Sequence, residues 1–217
     1  MGLKSQVLDT IQTLKDVTHR NSLIIKTVTS AFFIILVAAI ALTIIVFNMS
    51  PDLLDSFSSF TQSVLGYGDI PLPYTGNLFS YIFSNNVGHF WNPIRMIVWI
   101  PVLGPLLLWL EVLLNSGLIG VVAVIVGVNN GVAYPIIGLV PHGLIEIPAF
   151  LFQLSAIVLW QVTVSEAIIT KLRGNPLERT KINQAIRDII ILATVSIILM
   201  AVAAVIETYV TPYLLGL

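Results

Sequence analysis

From Val28 to Phe47 the chain is apolar except for Thr29, Ser30 and Thr43. Coiled into an α-helix, such a run is about 30 Å long, the thickness of a bilayer's hydrocarbon core. Comparable apolar stretches follow at residues 93–114, 117–140, 144–169 and 188–210. Only 10% of the residues are charged and 57% are hydrophobic, whereas ordinary globular chains carry about 25% charge. The expected fold class is therefore all-α: a polytopic transmembrane bundle of about five spanning helices. The 28–47 run is too long for the apolar region of a signal peptide and lacks an Ala-x-Ala cleavage pattern, so it reads as the first span. A net charge of −1 gives no indication of a nucleic-acid partner, and the absence of cysteine excludes disulfides, thiolate metal sites and cysteine nucleophiles.

Two regions are expected. Residues 1–26 read as a cytoplasmic amphipathic leader helix, with Leu3, Val7, Leu8, Ile11 and Leu14 at helical spacing. Its basic residues Lys4, Lys15, Arg20 and Lys26 suit anionic lipid headgroups, or the helix packs on the bundle's own loops. Residues 27–217 form one transmembrane domain. The loop at 49–80 contains Asp52, Asp55 and Asp69 without any Lys or Arg, so it is expected outside. Within it, Leu53, Leu54, Phe57, Phe60 and Val64 suggest a short interfacial helix. Gly66-Tyr-Gly-Asp69 resembles a potassium filter, but no Thr-Val pair precedes it and only one span does. The loop at 171–187 carries five basic residues and one acid, which marks it as cytoplasmic. Between an outside loop and an inside loop the number of crossings is odd. The short stretch Asn77–Trp91 is therefore expected to be a re-entrant or half-depth helix. The predicted location is the cell membrane, multi-pass, with the N-terminus cytoplasmic and the C-terminus external.

Ionisable and amide side chains at membrane depth are costly, and they mark sites or interhelical contacts. The candidates for a ligand or ion site are Asn85, Asn86, His89, Glu111, His142, Glu146 and Glu207. Asn129, Gln153 and Gln161 read as interhelical hydrogen-bonding residues, and Glu166 as an ion-pair partner of Lys171. The stretch Gly131–Ala149 concentrates the signal, with three prolines, three glycines, a histidine and a glutamate. Pro141 suits a first helical turn, so His142 and Glu146 are expected near a helix start, one turn apart on one face. An imidazole and a carboxylate so placed can pair, relay a proton or hold a divalent metal such as zinc. Gly117, Gly120, Gly127 and Gly131 would let helices approach closely, within one chain or between two. No enzyme template is met: His-Glu-x-x-His, the Walker loop and Gly-x-Gly-x-x-Gly are all missing.

Asn85-Asn86, Asn115-Ser-Gly-Leu-Ile-Gly120, Pro141-His-Gly-Leu-Ile-Glu-Ile-Pro-Ala149 and Ala203-Ala-Val-Ile-Glu-Thr-Tyr-Val-Thr-Pro212 together resemble the stage II sporulation protein M family. The resemblance runs from about residue 75 onward, and the leader and first helix also suit it. It implies an integral membrane protein of about five spans. It also implies a scaffold or assembly role beside other membrane or envelope proteins; membrane lipid and a second copy of the chain are the further partners expected. Members occur in organisms that never sporulate, so the family name does not carry a role. Two other classes stay open, a small-solute or ion transporter component and a metal-dependent membrane hydrolase with Glu146 as base or ligand.

Overall fold

The computed structural model describes residues 3–50, 52, 71–101 and 103–216, and all regular structure among them is helical. In chain order the elements are α1 (Leu3–Arg20), α2 (Ser22–Met49), α3 (Gly76–Asn86), two 3₁₀ turns (Gly88–Phe90 and Arg95–Trp99), α4 (Gly104–Asn130), α5 (Ala133–Leu172) and α6 (Arg179–Val205). A π-helical turn at Ile206–Val210 joins α6 to α7 (Thr211–Leu215). Four helical stretches are long and apolar enough to cross a membrane: α2, α4, α5 and the continuous stretch Arg179–Leu215. The expected interfacial helix near Leu53–Val64 and the Gly66–Asp69 string lie outside the described residues.

Helix boundaries differ from the sequence expectation in an instructive way. The stretches expected at 93–114, 117–140 and 144–169 are two helices, broken at Gly131, whose φ of 87° suits glycine alone among common residues. Asn115 and Ser116 do not end α4, and their side chains bond back to the carbonyls of Glu111 and Val112. Pro141 does not start a helix either. It lies inside α5 together with Pro148, so His142 and Glu146 sit within a continuous helix and gain nothing from an N-terminal dipole. Each proline costs one backbone bond, which a long helix supported on both sides tolerates.

Contacts give the running direction of each element. Leu23, Thr27 and Ala31 of α2 face Leu108, Trp109 and Val112 of α4, and farther along Leu36, Ala39 and Ile40 lie over Gly120. Thus α2 and α4 are parallel, and the chain must return the length of the bundle between them. Residues 74–103 make that return in pieces. Tyr74 N–H donates to the Thr208 carbonyl, Asn86 meets Glu146, His89 meets Phe150, and the Val98 carbonyl accepts from Gln161. The stretch expected to be a half-depth helix forms α3, the first part of this interrupted path along α5. Leu159 of α5 packs with Ile189 and Leu192 of α6, whereas His142 meets Thr211, so α6 is antiparallel to α5.

The core is formed by Phe32, Leu154, Ile157 and Met200, drawn from α2, α5 and α6. Large apolar side chains also face outward, among them Ile34 and Val37 of α2 and Leu106 of α4, as lipid contact requires. A Cβ at Gly120 would lie 3.0 Å from the Leu36 carbonyl oxygen. That glycine sets the close α2–α4 approach, whereas a Cβ at Gly117 would meet nothing within 4 Å. The C-terminal end of α1 docks on the bundle: Val17 is buried, and Arg20 and Asn21 both bond to Asp188. Leu8 and Ile11 of the same helix point outward.

Candidate functional site

Three local devices place a polar cavity beside α5. Thr75 caps α3, its hydroxyl accepting from Leu78 N–H at 3.2 Å. Pro212 has no N–H to offer the carbonyl four residues back, that of Thr208, which accepts instead from Tyr74 at 3.2 Å. The extra residue of the Ile206–Val210 π-turn changes the phase of the helix there, and such bulges recur at functional sites. Together they hold the start of α3 against the end of α6, with Glu207 lining the space enclosed. The cavity measures about 350 Å³ and is lined by Asn85, Asn86, Arg95, His142, Glu146 and Glu207 among others.

Two ionisable clusters meet this cavity. In the first, His142 Nε2 lies 3.8 Å from Glu146 Oε2. Asn86 Nδ2 donates to Glu146 Oε1 at 3.0 Å, and His142 Nδ1 lies 3.3 Å from Thr211 Oγ1. One side-chain ligand atom from each of His142, Glu146 and Glu207 lies within 4.8 Å of the other two. In the second cluster, His89 is fully buried with Nε2 3.1 Å from Glu111 Oε1, and Arg95 Nε is 3.5 Å from the same oxygen. Asn115 Nδ2 donates to Glu111 Oε2 at 3.0 Å. Arg95 Nη1 also donates to the Asn85 carbonyl at 2.5 Å, so the guanidinium caps the C-terminal, partially negative end of α3. Gly88 makes room for it, since a Cβ there would lie 2.7 Å from Arg95 Nη1.

All seven residues expected from sequence thus come to one region. Asn85, Asn86, His142, Glu146 and Glu207 line the cavity, and His89 and Glu111 reach it through Arg95 and Asn115, which line it as well. The interhelical residues divide. Gln161 Nε2 donates to the Val98 carbonyl at 2.6 Å, and Gly104 leaves space for that contact. Gln153 is buried with neither amide atom partnered among the described residues, and Asn129 is exposed. Glu166 pairs with Lys181 of α6 at 3.5 Å rather than with the expected Lys171, because the short loop between α5 and α6 brings Lys181 across.

A family model described as Stage II sporulation protein M matches residues 30–212. The chain belongs to that family. No curated protein and no solved structure matches it. The span shared with the stage II sporulation protein M family runs from α2 to Pro212 and so encloses every residue of both clusters.

Sequence reasoning missed Arg95, the one basic residue between Lys26 and Lys171. Its isolation was the available signal: a lone cation in so long an apolar region needs a carboxylate. Thr211 was also missed, as was Asp188, which accepts from Arg20, Asn21 and Gln184 where α1 joins the bundle. A buried carboxylate at the third turn of α6 implied donors from elsewhere, but not which helix supplies them.

Proposed function

We propose that this member of the stage II sporulation protein M family is a five-crossing protein of the cell membrane whose intramembrane cavity binds a small cation entering from the external side. The observation that carries the reading is the convergence of Asn86, His142, Glu146 and Glu207 on one cavity, with the His89–Glu111 pair behind Arg95 and Asn115 in its wall. Lipid offers such groups neither water nor counterions, and membrane proteins retain them where ions or solutes bind. The interrupted return through residues 74–103 supports it further, since discontinuous segments at membrane depth line the sites of many transport proteins.

Five crossings follow when the return counts as one, alongside the four long apolar helices. The loop at 171–187, with five basic residues, belongs in the cytoplasm. The N-terminus is then cytoplasmic, the C-terminus external, and the His142–Glu207 end of the cavity is nearer the outside. The scaffold role implied by family resemblance is compatible with this arrangement: a ligand-filled cavity would fix the relative positions of α3, α5 and α6. Partner capture by envelope proteins would then fall to the external loop 49–80, and a second copy of the chain is the simplest further partner.

The chain has no native cysteine, so single-cysteine labelling is clean. Gly143→Cys in oriented vesicles is expected to react with a membrane-impermeant maleimide added outside, and a cysteine at Arg173 only after permeabilisation. In detergent, a panel of monovalent, organic ammonium and divalent cations is then compared by thermal unfolding. At least one class should raise Tm, and Glu146→Gln should remove that rise. Stabilisation by none of them, or unchanged stabilisation in Glu146→Gln, overturns the reading.

A further inference from the structure

We infer that His142, Glu146 and Glu207 bind a divalent transition-metal cation of the zinc class. The inference names the ligand of the cavity just proposed and rests on that reading. Three observations carry it.

The first is donor geometry. One nitrogen and two carboxylate oxygens lie within 4.8 Å of one another. Zinc held at about 2.1 Å by such donors requires them to be roughly 3.4 Å apart. The difference, roughly 1.4 Å, is of the size that a change of glutamate rotamer spans. The second is support behind the ligands. Thr211 Oγ1, 3.3 Å from His142 Nδ1, accepts when that nitrogen is protonated, which leaves the Nε2 lone pair on the side of Glu146 Oε2. Asn86 Nδ2 holds the other Glu146 oxygen at 3.0 Å. Groups that orient an imidazole and a carboxylate in this way are characteristic of built metal sites.

The third is charge. No Lys or Arg other than Arg95 occurs from residue 27 to residue 170. That guanidinium is held by Glu111 and the Asn85 carbonyl. Among the described residues neither Glu146 nor Glu207 pairs with Lys or Arg, so two close carboxylates share one imidazole. They require a cation or a proton between them. Imidazole with two carboxylates suits zinc, manganese, iron or cobalt better than magnesium or calcium, which prefer oxygen alone. Three protein ligands also leave a coordination position facing the cavity, where water or an anionic group of a solute can enter.

The test uses the full chain purified in detergent after exposure to chelator. Zn²⁺ binding is measured by competition with a chromophoric chelator, and Co²⁺ binding by its visible spectrum. Expected are one Zn²⁺ per chain and the intense absorption of four- or five-coordinate Co²⁺. Affinity should fall at least about 100-fold in Glu207→Gln and in His142→Ala, and about 10-fold in Asn86→Ala, the range typical of lost supporting contacts. Glu166→Gln, on the surface, should bind as the wild type does. Glu207→Gln keeps shape and so decides the matter if His142→Ala does not fold. Stabilisation by monovalent or organic cations with no Zn²⁺ bound overturns the metal inference and leaves the cavity reading standing, and a site holding only a shared proton does the same to the metal. Stabilisation by no cation overturns both. Zn²⁺ bound equally by wild type and Glu207→Gln places the metal elsewhere and also overturns the inference.

Discussion

The two clusters on the cavity contain the same kinds of groups but differ in charge balance. Glu111 has Arg95 and His89 against one of its oxygens and Asn115 on the other. It forms a closed unit of the kind that makes a buried charge tolerable. Glu146 and Glu207 share one histidine and have an amide and a hydroxyl at the periphery, but neither pairs with Lys or Arg among the described residues. One cluster carries its own cation and is structural, binding the end of α3 to α4. The other has no such cation beside it among the described residues and is the proposed ligand site. Similar residue lists can therefore differ in role through the placement of a single arginine.

The largest effect should come from removing that arginine. Arg95→Met leaves Glu111 without its cation at depth, and the expected cost is about 3 kcal/mol in thermal or denaturant unfolding. The double variant Arg95→Met with Glu111→Gln should recover most of the loss. A mild Arg95→Met would break the distinction between the clusters.

The cation-poor cluster should respond with the opposite sign. In chelator, Glu207→Gln relieves repulsion between carboxylates about 5 Å apart and is expected to stabilise by about 1–3 kcal/mol at an effective dielectric near 20. With saturating Zn²⁺ the same variant should be less stable than the wild type, because it forgoes the stabilisation that ligand binding adds. A loss of stability in both conditions would mean that Glu207 is held by the fold alone.

Two ion pairs away from the cavity calibrate these effects. Arg20→Ala removes a bidentate partner from Asp188, but the Arg20 side chain is 43% exposed and Asn21 and Gln184 stay in place. After allowance for solvent screening the expected cost is about 1 kcal/mol, weakened by salt and measured by unfolding across ionic strengths. The exposed Glu166–Lys181 pair is the smallest case, and Glu166→Gln should change stability by less than about 0.5 kcal/mol.

Much of this organisation was legible in the residue pattern. Apolar run length gave the helical membrane class. Helix ends were less legible. Pro141 and Asn115-Ser-Gly117 look like breaks, yet α4 and α5 run on through them, supported by packing on their neighbours. Gly131 looked like a packing glycine and is the turn, because only its backbone conformation distinguishes those roles. Polar residues in an apolar chain announced the candidate site, but their division into two clusters did not follow from spacing. His89 with Glu111 and His142 with Glu207 are long-range pairs, set by how the interrupted return lies between α4, α5 and α6.

The central claim is that the cluster lacking its own arginine is the cation site. Anomalous X-ray scattering from crystals of the zinc-loaded protein, collected on either side of the zinc edge, tests it most directly. One peak between His142 Nε2 and the carboxylates of Glu146 and Glu207, with none beside His89 and Glu111, is the expected result. A peak at the His89–Glu111 pair, or no peak in the cavity, would contradict it.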